Sequence, residues 1–304
     1  MTFRFHTTEG STLSWAATAL GAGHLAFVVG TGAVRWEHLA ADVLLIGVGW
    51  TRARRFLRGG IPLWLSGVML DNQRYWLHLR GPIHTGDLWA LERSFFPATV
   101  NGVASSWPAY YAAHPNRALD VLCGLAYATY LVEFFALLLV LWVRADHRFD
   151  RMAWTFFAVN ALGCLIYVLY PSAPPWYVME HGMGPANLAA DPSPAGAARF
   201  DALLGVHFFA NFYSRNPNVF GAMPSLHSAY PVVALWQVWH LGRGWRVAAA
   251  AYGGLIAFSA VYLSHHYVLD VIAGVAVAII ACAAVDALSA SRAALPVTEG
   301  GSGV

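Results

Sequence analysis

The segment Tyr262-Leu263-Ser264-His265-His266-Tyr267-Val268-Leu269-Asp270 places two imidazoles and a carboxylate within long apolar runs. Ionisable groups are costly in such surroundings, so each is a functional candidate. His266 and Asp270 are four residues apart and would share one face of a helix. A carboxylate there can accept the proton of one imidazole nitrogen, which fixes the tautomer and frees the other nitrogen as nucleophile or base. A second segment, Gly221-Ala222-Met223-Pro224-Ser225-Leu226-His227-Ser228-Ala229-Tyr230-Pro231, carries His227. Ser225 reads as the N-cap of a helix beginning at 226, and a helix N-terminus is a ready phosphate site. Two histidines, one oriented by an aspartate, beside such a helix end make a phosphoryl-transfer constellation. One attacks phosphorus and the other protonates the leaving oxygen. A third segment, Tyr170-Pro171-Ser172-Ala173-Pro174-Pro175-Trp176-Tyr177, stops a helix with prolines and offers aromatic rings suited to the headgroup level.

The elements that carry these residues follow from composition. Of 304 residues, 58% are apolar and 11% charged, against about 25% charged in a soluble domain. Disorder, coiled coil, a collagen-like repeat and an ordinary soluble domain are excluded. Segments 12–34, 118–143, 152–170, 246–264 and 266–289 approach the roughly 20 residues needed to cross a bilayer. Segment 226–242 is slightly short, and 39–50 and 59–72 are shorter still. The expected fold is an all-α polytopic membrane bundle of six to eight transmembrane helices, with eight preferred. All 18 basic residues are arginine, which excludes any mechanism requiring lysine. They cluster at Arg52, Arg54, Arg55 and Arg58, at Arg144, Arg148 and Arg151, at Arg243 and Arg246, and at Arg292. Eight helices with a cytoplasmic N-terminus put all four groups inside. The aromatic segment 73–117, expected to hold an interfacial helix, and the proline-rich segment 171–225, expected to be a long ordered loop or lid, then lie outside. Residues 1–290 read as one integral membrane catalytic domain, followed from about 291 by a disordered cytoplasmic tail. No convincing signal peptide precedes the first span. Cys123, Cys164 and Cys282 read as buried, inert thiols.

Taken together, PSAPPWY (171–177), GAMPSLHSAYP (221–231) and YLSHHYVLDVIAG (262–274) resemble the type 2 phosphatidic acid phosphatase superfamily, and specifically its inositol phosphorylceramide synthase branch. The likeness covers residues 60–290 in outline, with a six-helix phosphatase-like core. It implies His266 as a nucleophile that forms a phosphohistidine, Asp270 as its partner, His227 as acid and base, and no metal or other cofactor. The phosphatases of that superfamily carry a Lys and an Arg-Pro pair in the first motif and a Ser-Arg ahead of the last histidine. This chain has no lysine and no Arg-Pro, and Ser259-Ala260 stands where Ser-Arg would fall. Those cations help to hold a dianionic monoester, so their absence disfavours a phosphatidate phosphatase and favours headgroup transfer between lipids. Arg215 is the candidate replacement, since guanidinium binds phosphate in a bidentate fashion. Ser225, Tyr170, Trp176, Tyr177 and His265 complete the substrate-side candidates.

Plainer roles stand beside these. Ser225 serves as a cap whether or not it meets phosphate. Trp176 and Tyr177 fit interfacial anchors as well as headgroup binders. His265 points away from His266 on a helix and reads as a structural residue. Glu133, in the middle of segment 118–143, is read either as structural, with Tyr130 as a partner, or as a substrate contact. Asp42 and Asp120 read as snorkelling or capping groups near helix ends, and His24, His78, His84, His207 and His240 have no spacing that assigns a role.

The expected function is transfer of a phosphoinositol-type headgroup phosphate from a phospholipid donor to a ceramide or similar lipid hydroxyl. Its partners are those lipids and the bilayer, with no nucleic acid. A lipid phosphatase using water as acceptor is the near alternative. A proton-coupled transporter relaying through Glu133, His266 and Asp270 is the alternative of another class; the lack of an internal repeat and the gathering of polar groups at one face disfavour it. The expected location is a bacterial inner membrane, with the site on the extracytoplasmic face and both termini cytoplasmic.

Overall fold

The computed structural model describes residues 7–294. Among them the chain forms α1 (Thr7–Gly30), α2 (Trp36–Gly49), α3 (Leu57–Asp71), α4 (Asp87–Phe95), a hairpin of β1 (Ala98–Val100) and β2 (Val103–Ser105), α5 (Trp107–Ala113), α6 (Arg117–Val143), α7 (Arg148–Leu169), α8 (Pro175–His181), α9 (Ala198–Leu204), α10 (Phe208–Tyr213), α11 (Leu226–Val238), α12 (Arg243–Tyr262) and α13 (Val268–Ala294). Helices dominate because a backbone in hydrocarbon must satisfy its own hydrogen bonds. Five of them (α1, α6, α7, α12 and α13) are long and apolar enough to cross a membrane. The shorter α2, α3 and α11 complete the eight helical segments read from the sequence, and the protein is an all-α integral membrane bundle. The expected tail begins later than 291, because α13 runs to Ala294. Residues 295–304, on which the remainder of that expectation falls, lie outside the described residues.

The two ends of the bundle differ. The Phe56 ring lies 5.6 Å from Trp142 and 5.5 Å from Phe149. Arg148 donates to the Gln237 carbonyl at 3.4 Å, and Arg151 pairs with Asp286 at 3.6 Å. The arginine-bearing connections α2–α3, α6–α7 and α11–α12 therefore share one end with the C-terminal part of α13. At the opposite end the Tyr167 hydroxyl donates to the Pro224 carbonyl at 3.0 Å, and the Ser225 amide donates to the Asp270 carbonyl at 2.9 Å. That end brings together the close of α7, the start of α11 and the α12–α13 corner.

The core lies among α6, α7, α11 and α13, around Phe134, Phe156 and Tyr230. Inside it the Tyr230 hydroxyl donates to Asn160 Oδ1 at 2.7 Å. The backbones of α11 and α13 nearly touch: a Cβ on Gly274 would stand 2.1 Å from the Ser225 carbonyl oxygen. Only glycine permits that approach. The N-terminal helices are joined by a buried polar cluster in which Asp42 accepts from Trp64 Nε1 and His24 Nδ1, each at 2.8 Å. Asp42 is thus a fully buried hub in the body of α2, where a snorkelling or capping group was expected. Asp120 is likewise committed, accepting from Arg199 Nε at 2.7 Å and the Tyr262 hydroxyl at 2.8 Å.

The two segments expected to lie outside are ordered as short elements. Segment 73–117 contains α4, the hairpin and α5, and segment 171–225 contains α8, α9 and α10. Ser172 laces them together. Its amide donates to the Phe220 carbonyl at 2.9 Å, its carbonyl accepts from the Ala222 amide at 3.3 Å, and the neighbouring Pro171 carbonyl accepts from the His84 amide at 2.8 Å.

Candidate active site

The three motif segments converge on one cavity of about 770 Å³ at the end of the bundle opposite the arginine connections. Each is positioned by a different device. The prolines after Tyr170 end α7 and turn the chain so that Ser172 Oγ accepts from the Met223 amide at 3.1 Å. Ser225 Oγ caps α11 by accepting from the Ser228 amide at 3.4 Å. The Trp176 amide donates to the Ser264 carbonyl at 3.1 Å, attaching the first motif to the third.

His227 and His266 form the centre. His266 Nδ1 lies 2.9 Å from the Ala222 carbonyl oxygen and 3.5 Å from Asp270 Oδ2. A carbonyl can only accept, so Nδ1 carries the proton and Nε2 holds a free lone pair. That lone pair faces His227 Nδ1 at 3.0 Å. The contact between His266 and Asp270 differs in origin from the expected helical face, since α13 begins at Val268 and His266 lies in the corner before it. Asp270 is fully buried and bridges that corner: its Oδ2 accepts from the Tyr267 amide at 2.7 Å. The arrangement places an imidazole with a free Nε2 lone pair, oriented by a carbonyl with a carboxylate behind it, beside a second imidazole whose Nδ1 can give or take a proton at the same point.

The remaining candidates separate. His227, His265, His266, Trp176 and Arg215 all line the cavity. Arg215 is not a free cation, however, for it donates to Glu37 Oε1 at 2.8 Å. His265 is sandwiched between Tyr213, at 4.3 Å, and Tyr127, at 5.4 Å. Burial among these rings pushes its pKa down to about 3. Ser225 is buried behind the cavity wall as the cap of α11. Tyr170 and Tyr177 do not line the cavity: Tyr170 stacks on His84 at 3.9 Å, and the Tyr177 hydroxyl accepts from the Asn187 amide at 2.6 Å. Glu133 lies away from the cavity, with Oε2 lacking a hydrogen-bond partner among the described residues.

Several contributors escaped the sequence reading. Tyr127 stacks on the His227 ring at 4.4 Å, and Tyr130 lies 4.6 Å from it. Their spacing of three on one helix was the available signal. Glu92, fully buried on α4, accepts from the amides of Val268 at 3.0 Å and Leu269 at 3.2 Å. Burial raises its pKa, as does the nearby charge of Asp270, against the lowering effect of the two amides. Arg35, Glu37, Asp71 and Gln73 also line the cavity, and nothing in their spacing marks them.

Comparison with known proteins agrees with this geometry. Residues 87–284 match the PAP2 superfamily. The chain is 33% identical over 257 residues to a phosphoinositol dihydroceramide synthase of Bacteroides thetaiotaomicron, covering 81% of this chain and 83% of that protein. It is 33% identical over 203 residues to the inositol phosphorylceramide synthase catalytic subunit of Schizosaccharomyces pombe, covering 66% of this chain and 46% of that protein. Over 159 residues it is 36% identical to the inositol phosphorylceramide synthase of Candida albicans, covering 51% of this chain and 34% of that protein. No solved structure matches. With all three histidine-site segments inside the matched region, the chain belongs to the PAP2 superfamily.

Proposed function

We propose that this protein is a membrane phosphotransferase that moves a phosphoinositol-type headgroup from a phospholipid donor to the hydroxyl of a ceramide-type lipid. The observation that carries the reading is the 3.0 Å approach of His227 Nδ1 to His266 Nε2 on the wall of the cavity. The relatives named as phosphoinositol and inositol phosphorylceramide synthases supply the substrate class.

The donor phosphate enters between the two rings. His266 Nε2 uses its lone pair to attack phosphorus, and the bond from phosphorus to the diacylglycerol oxygen breaks. His227, doubly protonated against the bound phosphate anion, gives that leaving oxygen the Nδ1 proton that points at His266 Nε2 without substrate, and is left neutral. Positive charge develops on the His266 ring as the phosphorus–nitrogen bond forms. Asp270 opposes it from 3.5 Å, while Nδ1 keeps its proton and donates it to the Ala222 carbonyl. The acceptor hydroxyl then gives its proton to His227 and attacks phosphorus, and the phosphorus–nitrogen bond breaks to restore His266. The N-terminal end of α11 faces the phosphate oxygens.

Arginine-bearing connections at the other end of the bundle support a cytoplasmic location for that end and an extracytoplasmic site. The bacterial relative supports a bacterial inner membrane. Purified protein supplied with labelled phosphatidylinositol and ceramide tests the reaction. Transfer should require both lipids and fall about 10²–10⁴-fold in His266→Ala or His227→Ala. Near-normal turnover in either variant would overturn the assignment.

A further inference from the structure

A second cavity of about 430 Å³ lies between α2 and α3. Leu44, Leu45, Val48, Leu63 and Val68 make most of its wall apolar. It meets the catalytic cavity at Arg35, Glu37, Gly67 and Asp71, which line both. It is built entirely from residues that precede the PAP2-matched region. Leu44, on its wall, is 65% exposed, so one side of the cavity lies at the protein surface.

The junction is polar but electrically balanced. Arg35 pairs with Asp71, Arg215 pairs with Glu37 at 2.8 Å, and His38 Nε2 lies 2.7 Å from Asp71 Oδ2. Two guanidinium groups face two carboxylates, leaving no excess cation for a phosphate. His38 also lines the second cavity, is 7% exposed, and has no hydrogen-bond partner at Nδ1 among the described residues. A buried imidazole nitrogen left unpaired calls for a guest with a hydroxyl or an amide.

We propose that this cavity holds one hydrocarbon chain of the acceptor lipid, with the acceptor's uncharged hydroxyl- and amide-bearing head crossing the Arg35–Glu37–Asp71 junction towards His266. The proposal rests on the phosphotransfer reading and assigns the acceptor a seat within it. An apolar wall matches the chain, and a neutral polar junction matches a neutral head better than an anionic donor. The donor phosphate is left to the histidines and the α11 N-terminus.

Gly67 provides the test. It lines both cavities, and a Cβ added there meets nothing within 4 Å. Gly67→Leu can therefore narrow the junction without a backbone clash, and leucine favours the helix. Transfer by the purified full-length protein would be measured with ceramides of long and short acyl chains. In Gly67→Leu, which obstructs the junction the acceptor head must cross, kcat/KM for both ceramides should fall about tenfold, while that for the donor phospholipid should be unchanged. In the wild-type protein, a ceramide with a photoreactive group at its chain end should label peptides of α2 or α3. Unchanged kcat/KM for both ceramides, or labelling confined to other helices, would overturn the seat while transfer itself persisted. Absence of transfer by the wild-type protein would instead overturn the phosphotransfer reading, and the seat with it.

Discussion

The Glu92 carboxylate accepts the Val268 amide at 3.0 Å, two residues beyond His266. A carboxylate on α4 thereby satisfies the first free amides of α13 and pins the corner from which His266 projects. Glu92→Gln keeps an acceptor oxygen and should retain most transfer, whereas Glu92→Ala leaves two amides without a partner and should lower transfer at least several-fold. The titration has a definite sign. Burial raises the Glu92 pKa above 4.5, so the folded state holds its proton more tightly than the unfolded chain. The resulting stability is complete below pH 4.5 and is lost as pH rises through the raised value. Denaturant unfolding in detergent from pH 4 to 8 should show a smaller fall with rising pH in Glu92→Gln than in wild type.

His265 titrates in the opposite sense. It binds a proton near 6.5 when exposed and near 3 between Tyr127 and Tyr213. The unfolded chain therefore carries more protons throughout that interval. Stability from this group is complete above pH 6.5 and declines as pH falls towards 3. His265→Phe preserves a ring in the sandwich, so its unfolding free energy should decline less over the same range. Identical acid slopes for wild type and variant would reject the sandwich as the cause.

Ser172 links the first motif to the nucleophile. Its hydroxyl holds the Met223 amide at 3.1 Å, and the preceding Ala222 carbonyl holds His266 Nδ1 at 2.9 Å. Ser172→Ala should cost about 1 kcal/mol of stability by leaving a half-buried amide unpaired, and transfer should fall more than donor binding. Parallel unfolding and initial-rate measurements on Ser172→Ala and Ser172→Thr would separate the two effects, with the threonine hydroxyl restoring the rate.

Gly274 sets the spacing of α11 and α13. An added methyl group would stand 2.1 Å from the Ser225 carbonyl oxygen and 2.5 Å from Ser228 Oγ. Gly274→Ala must separate the helices, at a cost of about 1–3 kcal/mol or more, and strain the Ser225–Asp270 backbone bond. A lower Tm with reduced transfer is expected; an unchanged Tm would contradict this packing.

Apolar run lengths and arginine placement were enough to read eight helical segments and a two-ended bundle, because bilayer thickness and backbone hydrogen bonding leave few alternatives. Motif chemistry likewise marked His227, His266 and Asp270, since ionisable groups in apolar runs stand out one by one. Tertiary structure alone decided what surrounds them. The reach of Glu92 to α13, the neutralisation of Arg215 by Glu37, the rings that enclose His265, and the wall formed by Arg35 and Asp71 all join residues distant in the chain. No local period encodes such contacts. They arise when helices pack and each buried polar group must find the partner that packing brings within reach.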